Sequence, residues 1–118
     1  MEPTDLSSEL ALAKKAAEAS GKLLQNKKKQ FNEILSSNSK DIKLKADTES
    51  EELIKEIITS QSSHPILSEE SGKSSENLGD IFWVVDPLDG TANYSRDIPF
   101  CCVSIGLVNN MKPILGAI

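Results

Sequence analysis

Apolar residues recur at helical spacing along the first part of the chain. Leu6, Leu10, Ala13, Ala17 and Leu24 stand three, four or seven positions apart, and Lys14, Lys15, Glu18 and Lys22 take the other face. This predicts a helix from Leu6, capped by Thr4 or Asp5. Lys27-Lys28-Lys29 would close it as a solvated terminus complementing the helix dipole. From Gln30 to Lys45 the pattern changes. Phe31, Ile34 and Leu35 precede the turn cluster Ser36-Ser37-Asn38-Ser39, and Ile42-Lys43-Leu44-Lys45 alternates with period two. A loose β-hairpin fits this span; the other reading continues the first helix to about Leu35. Asp47-Thr48-Glu49-Ser50-Glu51 opens a second helix, with Thr48 and Glu51 at capping-box spacing and Leu53, Ile54, Ile57 and Ile58 as its apolar stripe.

The second half reads as strands. Ile66-Leu67 is a short apolar piece running into the acidic Ser68-Glu69-Glu70-Ser71. Residues 72–80 are polar and predict an exposed, mobile loop, placed to act as a flap over the acids. Ile81-Phe82-Trp83-Val84-Val85 has the length and β-branched content of a buried strand that should stop at Pro87, which cannot donate to a ladder. Phe100 to Val108 alternates, with Val103, Ile105 and Leu107 on one face; Asn109-Asn110 is the expected hairpin turn, and Met111 to Ile118 the returning strand. The expected class is therefore α+β: a layered sandwich of two N-terminal helices on an antiparallel sheet, with acidic loops gathered at one sheet end.

Composition narrows the function. The chain has 118 residues, 38% hydrophobic and 26% charged, with a formal net charge of −5. An acidic balance argues against general nucleic-acid or membrane-surface binding. It is compatible with a phosphorylated substrate when a bound cation supplies positive charge locally. No apolar run approaches the length of a membrane span, and Met1-Glu2-Pro3-Thr4-Asp5 lacks the order of a signal peptide. Cys101 and Cys102 are adjacent, so a bond between them would be strained; they are read as reduced and the compartment as cytoplasmic. His64, the one histidine, precedes a proline in a polar loop and reads as a surface residue.

The densest chemistry is in Asp86-Pro87-Leu88-Asp89-Gly90-Thr91. Two carboxylates and a hydroxyl at one strand end repel one another unless a cation lies between them. Hard oxygen ligands of this kind suit Mg²⁺. Gly90 permits a tight turn and close approach to a ligand, and amides beyond it can face an anion. Asp47 alone is first a helix cap, and Glu69-Glu70 alone is first a solvated turn.

The string Asp86 to Thr91 resembles the signature D-P-[IL]-D-G-T of the inositol monophosphatase family, the lithium-sensitive, Mg²⁺-dependent phosphatases. Ser68-Glu69-Glu70-Ser71 is similar to that family's G-E-E-S, with Ser68 in place of the usual glycine. Lys45-Ala46-Asp47 resembles its T-x-A-D, and residues 100–107 resemble its F-x-x-S-I-[GA] strand. The likeness is clear over residues 41–118.

The resemblance implies metal ligation by Glu69, Asp86, Asp89 and the carbonyl of Leu88, for two or three Mg²⁺ ions. Glu70 would stand beside them, and Asp47 would reach a metal or its water. Thr91, bonded to Glu69 or Asp47, would orient and help deprotonate the attacking water. The amides of Gly90 and Thr91 would hold the phosphate of a small phosphorylated substrate, with Asn93 also in the substrate site. Asp89 to Tyr94 reads D-G-T-x-N-[FY], with Ala92 where the phosphoadenosine-phosphate branch often has lysine; this favours inositol monophosphate or a related sugar phosphate. Fructose bisphosphate and phosphoadenosine phosphate are the alternatives. The resemblance also implies a homodimer for the full-length protein.

Two departures stand out. The family's later W-D-x-x-A-G motif, which supplies a further aspartate, is absent, and its lysine near Ser36 is not evident. The expectation is that residues 1–118 are the N-terminal portion of a longer phosphatase domain and, alone, an inactive metal- or phosphate-binding piece.

Overall fold

The computed structural model describes residues 5–37 and 42–118. The proposed cap at Thr4 and the Asn38-Ser39 part of the turn cluster lie outside them. The elements in chain order are α1 (Ser7–Asn26), α2 (Lys28–Phe31), β1 (Ile34–Ser37), β2 (Ile42–Leu44), α3 (Lys45–Gln61), β3 (Ile66–Ser68), β4 (Gly72–Lys73), β5 (Ile81–Asp89), α4 (Thr91–Ser95), β6 (Cys102–Asn109) and β7 (Lys112–Ala117).

Leu6, not Asp5, is the N-cap of α1; Asp5 lies one residue before it, and its Oδ1 accepts the Ser7 amide at 2.9 Å. The first helix ends at Asn26 rather than running to Leu35, and β1 and β2 pair antiparallel, so the hairpin reading holds. The larger sheet has the order β4-β3-β5-β6-β7. It is antiparallel except between β3 and β5, which run parallel. Parallel pairing there puts the acidic ends of β3 and β5 at the same edge of the sheet. Among the described residues no helix is long and apolar enough to cross a membrane.

Both long helices cover one face of the sheet. Trp83 and Val85 of β5 and Val103, Ile105 and Leu107 of β6 meet Leu12, Ala13, Ala16 and Leu24 of α1 and Ile54 and Ile58 of α3 in one core. The period-two alternation of β6 puts its three branched residues inward, as the sequence predicted. Trp83 is fully buried, and its indole N–H donates to Ser62 Oγ at 3.0 Å. Among these apolar contacts sit two buried serines. Ser20 of α1 and Ser50 of α3 hydrogen-bond to each other, and Ser50 Oγ donates to the Pro87 carbonyl at 2.7 Å. Each would otherwise carry the cost of an unpaired buried hydroxyl.

Four boundaries differ from the sequence reading, each for a physical reason. The second long helix begins at Lys45, directly from β2, and Leu44 is its N-cap. Asp47 lies three positions into it, and its Oδ2 accepts the Leu44 amide at 2.8 Å. The Thr48–Glu51 capping box therefore does not form; Glu51 turns to β3 instead. β5 does not stop at Pro87 but continues to Asp89, with the register to β6 shifting between Asp86 and Asp89. A proline is tolerated in a strand at such an irregularity. The expected loop from Gly72 begins as β4, and the Ser74 amide bonds to the Ile66 carbonyl at 2.8 Å. Finally, the β6–β7 turn is Asn110-Met111, one residue later than expected, both with positive φ (51° and 65°). Two left-handed positions in a two-residue loop match the twist of a hairpin.

Candidate active site at the strand ends

Parallel pairing of β3 and β5 sets Ser68 opposite Val85, and the Glu69 amide donates to the Val85 carbonyl at 3.1 Å. The next residue along each strand is an acid, so Glu69 and Asp86 emerge side by side. Hydrogen bonding with Asp86 first, then burial and the negative charges of Asp86, Glu70 and Asp89, pushes the Glu69 carboxyl up to about 7.

Glu70 is also raised, chiefly by burial and then by Asp47, although Lys43 Nζ lies 3.8 Å from its Oε2 and works the other way. Asp47 is fully buried, and burial raises it against the hydrogen bonds from Leu44 and Thr91. Its Oδ1 accepts from Thr91 Oγ1 at 3.0 Å. The same hydroxyl lies 3.1 Å from the Leu88 carbonyl. Thr91 thus links α3 to the end of β5. Asp86 is half-exposed, and its Oδ1 accepts the Leu88 amide at 3.2 Å. Cys102 lies beside the site with Sγ 4.0 Å from Asp89 Oδ2, and burial first, then Asp89 and Asp86, raises its thiol.

Gly90 adopts φ 91° at the junction of β5 and α4. A Cβ there would stand 2.7 Å from the Phe100 carbonyl oxygen and 3.2 Å from Cys101 Cα. Gly90→Ala is expected to cost about 1–3 kcal/mol from the left-handed backbone alone, with the Phe100 clash added. A clear drop in thermal unfolding midpoint would show it; an unchanged midpoint would refute the constraint. Asn93, expected near substrate, donates its side-chain amide to the Phe100 carbonyl at 2.9 Å, so it ties down the α4–β6 connection.

The donor set is hard oxygen throughout, and Glu69 and Asp86 stand at neighbouring strand ends where a divalent cation would relieve their repulsion. That pair suits such an ion. Among the described residues, however, no three His, Cys, Asp or Glu side chains converge into a metal-sized cluster. The Glu69–Asp86 pair also sets a pH dependence. A raised carboxyl pKa contributes stability that is complete below the ordinary value of 4.5 and is lost as pH rises through about 7. In chelator, the unfolding midpoint should therefore fall between pH about 5 and about 8, and Glu69→Gln should flatten the fall. Equal slopes in the two proteins would remove Glu69 as its source.

Sequence reasoning missed Ser20, Ser50, Glu51 and Lys43. Ser50 carried a signal, standing in line with Ala46, Ile54 and Ile58 on the inward face of α3.

Fold and site together define a layered α+β protein whose carboxylates gather at the ends of adjacent strands. The model of the inositol monophosphatase family matches residues 5–118. An inositol-1-monophosphatase of Synechocystis is 37% identical, covering 98% of this chain and 41% of that protein. A fructose-1,6-bisphosphatase/inositol-1-monophosphatase of Aquifex aeolicus is 40% identical, over 92% of this chain and 42% of its own length. The solved inositol monophosphatase of Anabaena superposes with TM-score 0.78 at 38% identity, covering 96% of this chain and 40% of that one. The chain belongs to the inositol monophosphatase family. It spans roughly two fifths of the length of the curated relatives it matches.

Proposed function

We propose that this protein is a Mg²⁺-dependent phosphomonoesterase acting on a small phosphate monoester, with inositol monophosphate or a related sugar phosphate as the favoured substrate. The observation that carries the reading is the placement of Glu69 and Asp86 at adjacent strand ends, set by the parallel register of β3 on β5 and the Glu69 amide bond to the Val85 carbonyl at 3.1 Å. Glu69, Asp86, Asp89 and the Leu88 carbonyl would hold the ions, two or three in number. Bound Mg²⁺ supplies charge neutralisation at the phosphoryl oxygens and a more acidic water.

This chain's own residues do the rest. The Thr91 hydrogen is engaged by Asp47 and the Leu88 carbonyl, which leaves the Thr91 oxygen to accept from a water. A water held this way has its lone pair aimed outward for attack. As the water gives a proton to the Thr91 oxygen, the Thr91 proton passes to Oδ1 of buried Asp47, which becomes a neutral carboxyl. The amides of Gly90 and Thr91 bind the phosphate, and Asn93 keeps their loop in place. A cytoplasmic setting is proposed from the adjacency of Cys101 and Cys102, between which a disulfide would be strained. Assembly as a homodimer rests on the family resemblance alone.

The deciding experiment is a phosphate-release panel on the full-length protein. Inositol monophosphate, fructose 1,6-bisphosphate and phosphoadenosine phosphate are compared with Mg²⁺, with chelator and with lithium. Mg²⁺-dependent, lithium-sensitive release that is fastest on inositol monophosphate is expected. Release unaffected by chelator would end the reading.

The alternatives of fructose bisphosphate and phosphoadenosine phosphate are decided by the same panel; the name of the Aquifex relative keeps the first in view. Residues 1–118 are proposed to be the N-terminal portion of one phosphatase domain, supported by the 41% share of the Synechocystis relative that they cover. A second reading then applies to these residues in isolation. With no three-sided acidic cluster among the described residues, they would bind cation or phosphate weakly without turnover. Vigorous release by residues 1–118 alone would overturn it.

A further inference from the structure

One face of α3 reaches three separate segments of the site. Asp47 takes the Thr91 hydroxyl, Ser50 holds the Pro87 carbonyl, and Glu51 Oε2 accepts from Ser68 Oγ at 2.7 Å. One turn further on, Lys55 pairs with Glu51 at 3.2 Å and donates to Ser71 Oγ. Positions 47, 50, 51 and 55 recur at the three- and four-residue steps that share a helix face.

Ser68 and Ser71 are the two ends of the turn that carries Glu69 and Glu70. The Glu51–Lys55 pair therefore grips that turn before and after its acids. Ser68 is 2% exposed and Glu51 8%, so their bond joins a hydroxyl to a carboxylate largely withdrawn from water. Such charge-assisted bonds are short and roughly twice as strong as neutral ones. Burial works to raise Glu51, but hydrogen bonds from Ser68, Ser71 and Lys55, with the Lys55 charge, hold it below the ordinary glutamate value. It is an ionised acceptor. The residue at 68 differs from the glycine of the resembling motif, and a glycine would have no hydroxyl to give.

We propose that Glu51 and Lys55 are positioning residues: through Ser68 and Ser71 they fix the acidic turn so that Glu69 stands beside Asp86. The inference rests on the reading of that carboxylate pair as a cation site. Neither Glu51 nor Lys55 is among the proposed ligands, and α3 packs into the core through Ile54 and Ile58. Their loss should loosen a carboxylate, and so weaken cation binding more than it weakens the fold. Partners that orient metal ligands from outside typically account for 10–100-fold in affinity.

The test is calorimetric titration of Mg²⁺ into the full-length protein and its variants, with unfolding midpoints measured in chelator. Ser68→Ala should weaken Mg²⁺ binding by about 10–100-fold, with Ser68→Thr restoring it. Ser71→Ala and Lys55→Met act on exposed or half-exposed side chains that folding does not need, and should weaken it in the same direction even if Ser68→Ala fails to fold. Wild-type protein that takes up no Mg²⁺ would overturn the cation-site reading and this inference with it. Wild-type binding matched by all three variants, whatever their midpoints, would overturn the clamp alone and leave that reading standing.

Discussion

Replacing Thr91 with valine should lower phosphate release by the full-length protein by about 10²–10⁴-fold, the range that a positioned proton-transfer group contributes. Valine keeps the branched shape and removes one oxygen. In the present arrangement that oxygen donates toward Asp47 Oδ1 at 3.0 Å and the Leu88 carbonyl at 3.1 Å, and is left able only to accept from a water. Turnover should fall while KM changes little, because the hydroxyl aligns water rather than substrate. Thr91→Ser retains the hydroxyl and should keep most of the rate. The valine variant also leaves buried Asp47 without one donor, at a cost of about 1–3 kcal/mol in stability. Measuring rate and unfolding together separates the two losses. Turnover above about a tenth of wild type in a folded Thr91→Val protein would contradict the range just given and remove Thr91 from the chemistry.

Trp83→Ala should destabilise the protein by about 3–5 kcal/mol, the range for removing a large buried aromatic side chain. Trp83 is 0% exposed, between the sheet and the two long helices, and its indole N–H is satisfied by Ser62. The substitution removes the largest fully buried side chain and leaves Ser62 Oγ without that donor. Denaturant unfolding of wild type and variant gives the difference directly. A loss under about 1 kcal/mol would mean that the core collapses around the gap, contrary to the dense packing usual of protein interiors. Trp83 also lies three residues before Asp86 on β5, so the same loss should blunt cation binding by loosening the strand that presents the acid.

Much of the fold is legible because its elements have clean periods. The α1 stripe, the alternation of β6 and the apolar run of β5 each state a face and a direction of burial locally. Where elements meet, local rules compete. Asp47-Thr48-Glu49-Ser50-Glu51 carries a good capping pattern, yet β2 feeds directly into α3, so the helix starts two residues earlier and Glu51 is released to bind Ser68. Pro87 is a sound strand breaker, but the Ser50 hydroxyl holds its carbonyl and the register shift absorbs its ring, so β5 runs on to Asp89.

The acid motifs were equally readable as residue types. Asp86, Asp89, Gly90 and Thr91 are contiguous, and their chemistry needs no partner from elsewhere to be suspected. The sequence by itself determined the class of fold, the inward faces of its helices and strands, and the oxygen-rich character of the site, because each depends on neighbours within a turn or a strand.

Only the tertiary structure decided that Glu69 and Asp86 stand side by side, that Asp47 reaches Thr91 across forty-four positions, and that Glu51 and Lys55 hold the acidic turn. Those pairings arise from the parallel register of β3 on β5 and from α3 lying across the strand ends. Register and helix placement are set by burying the whole core at once, so no local stretch of residues can encode them.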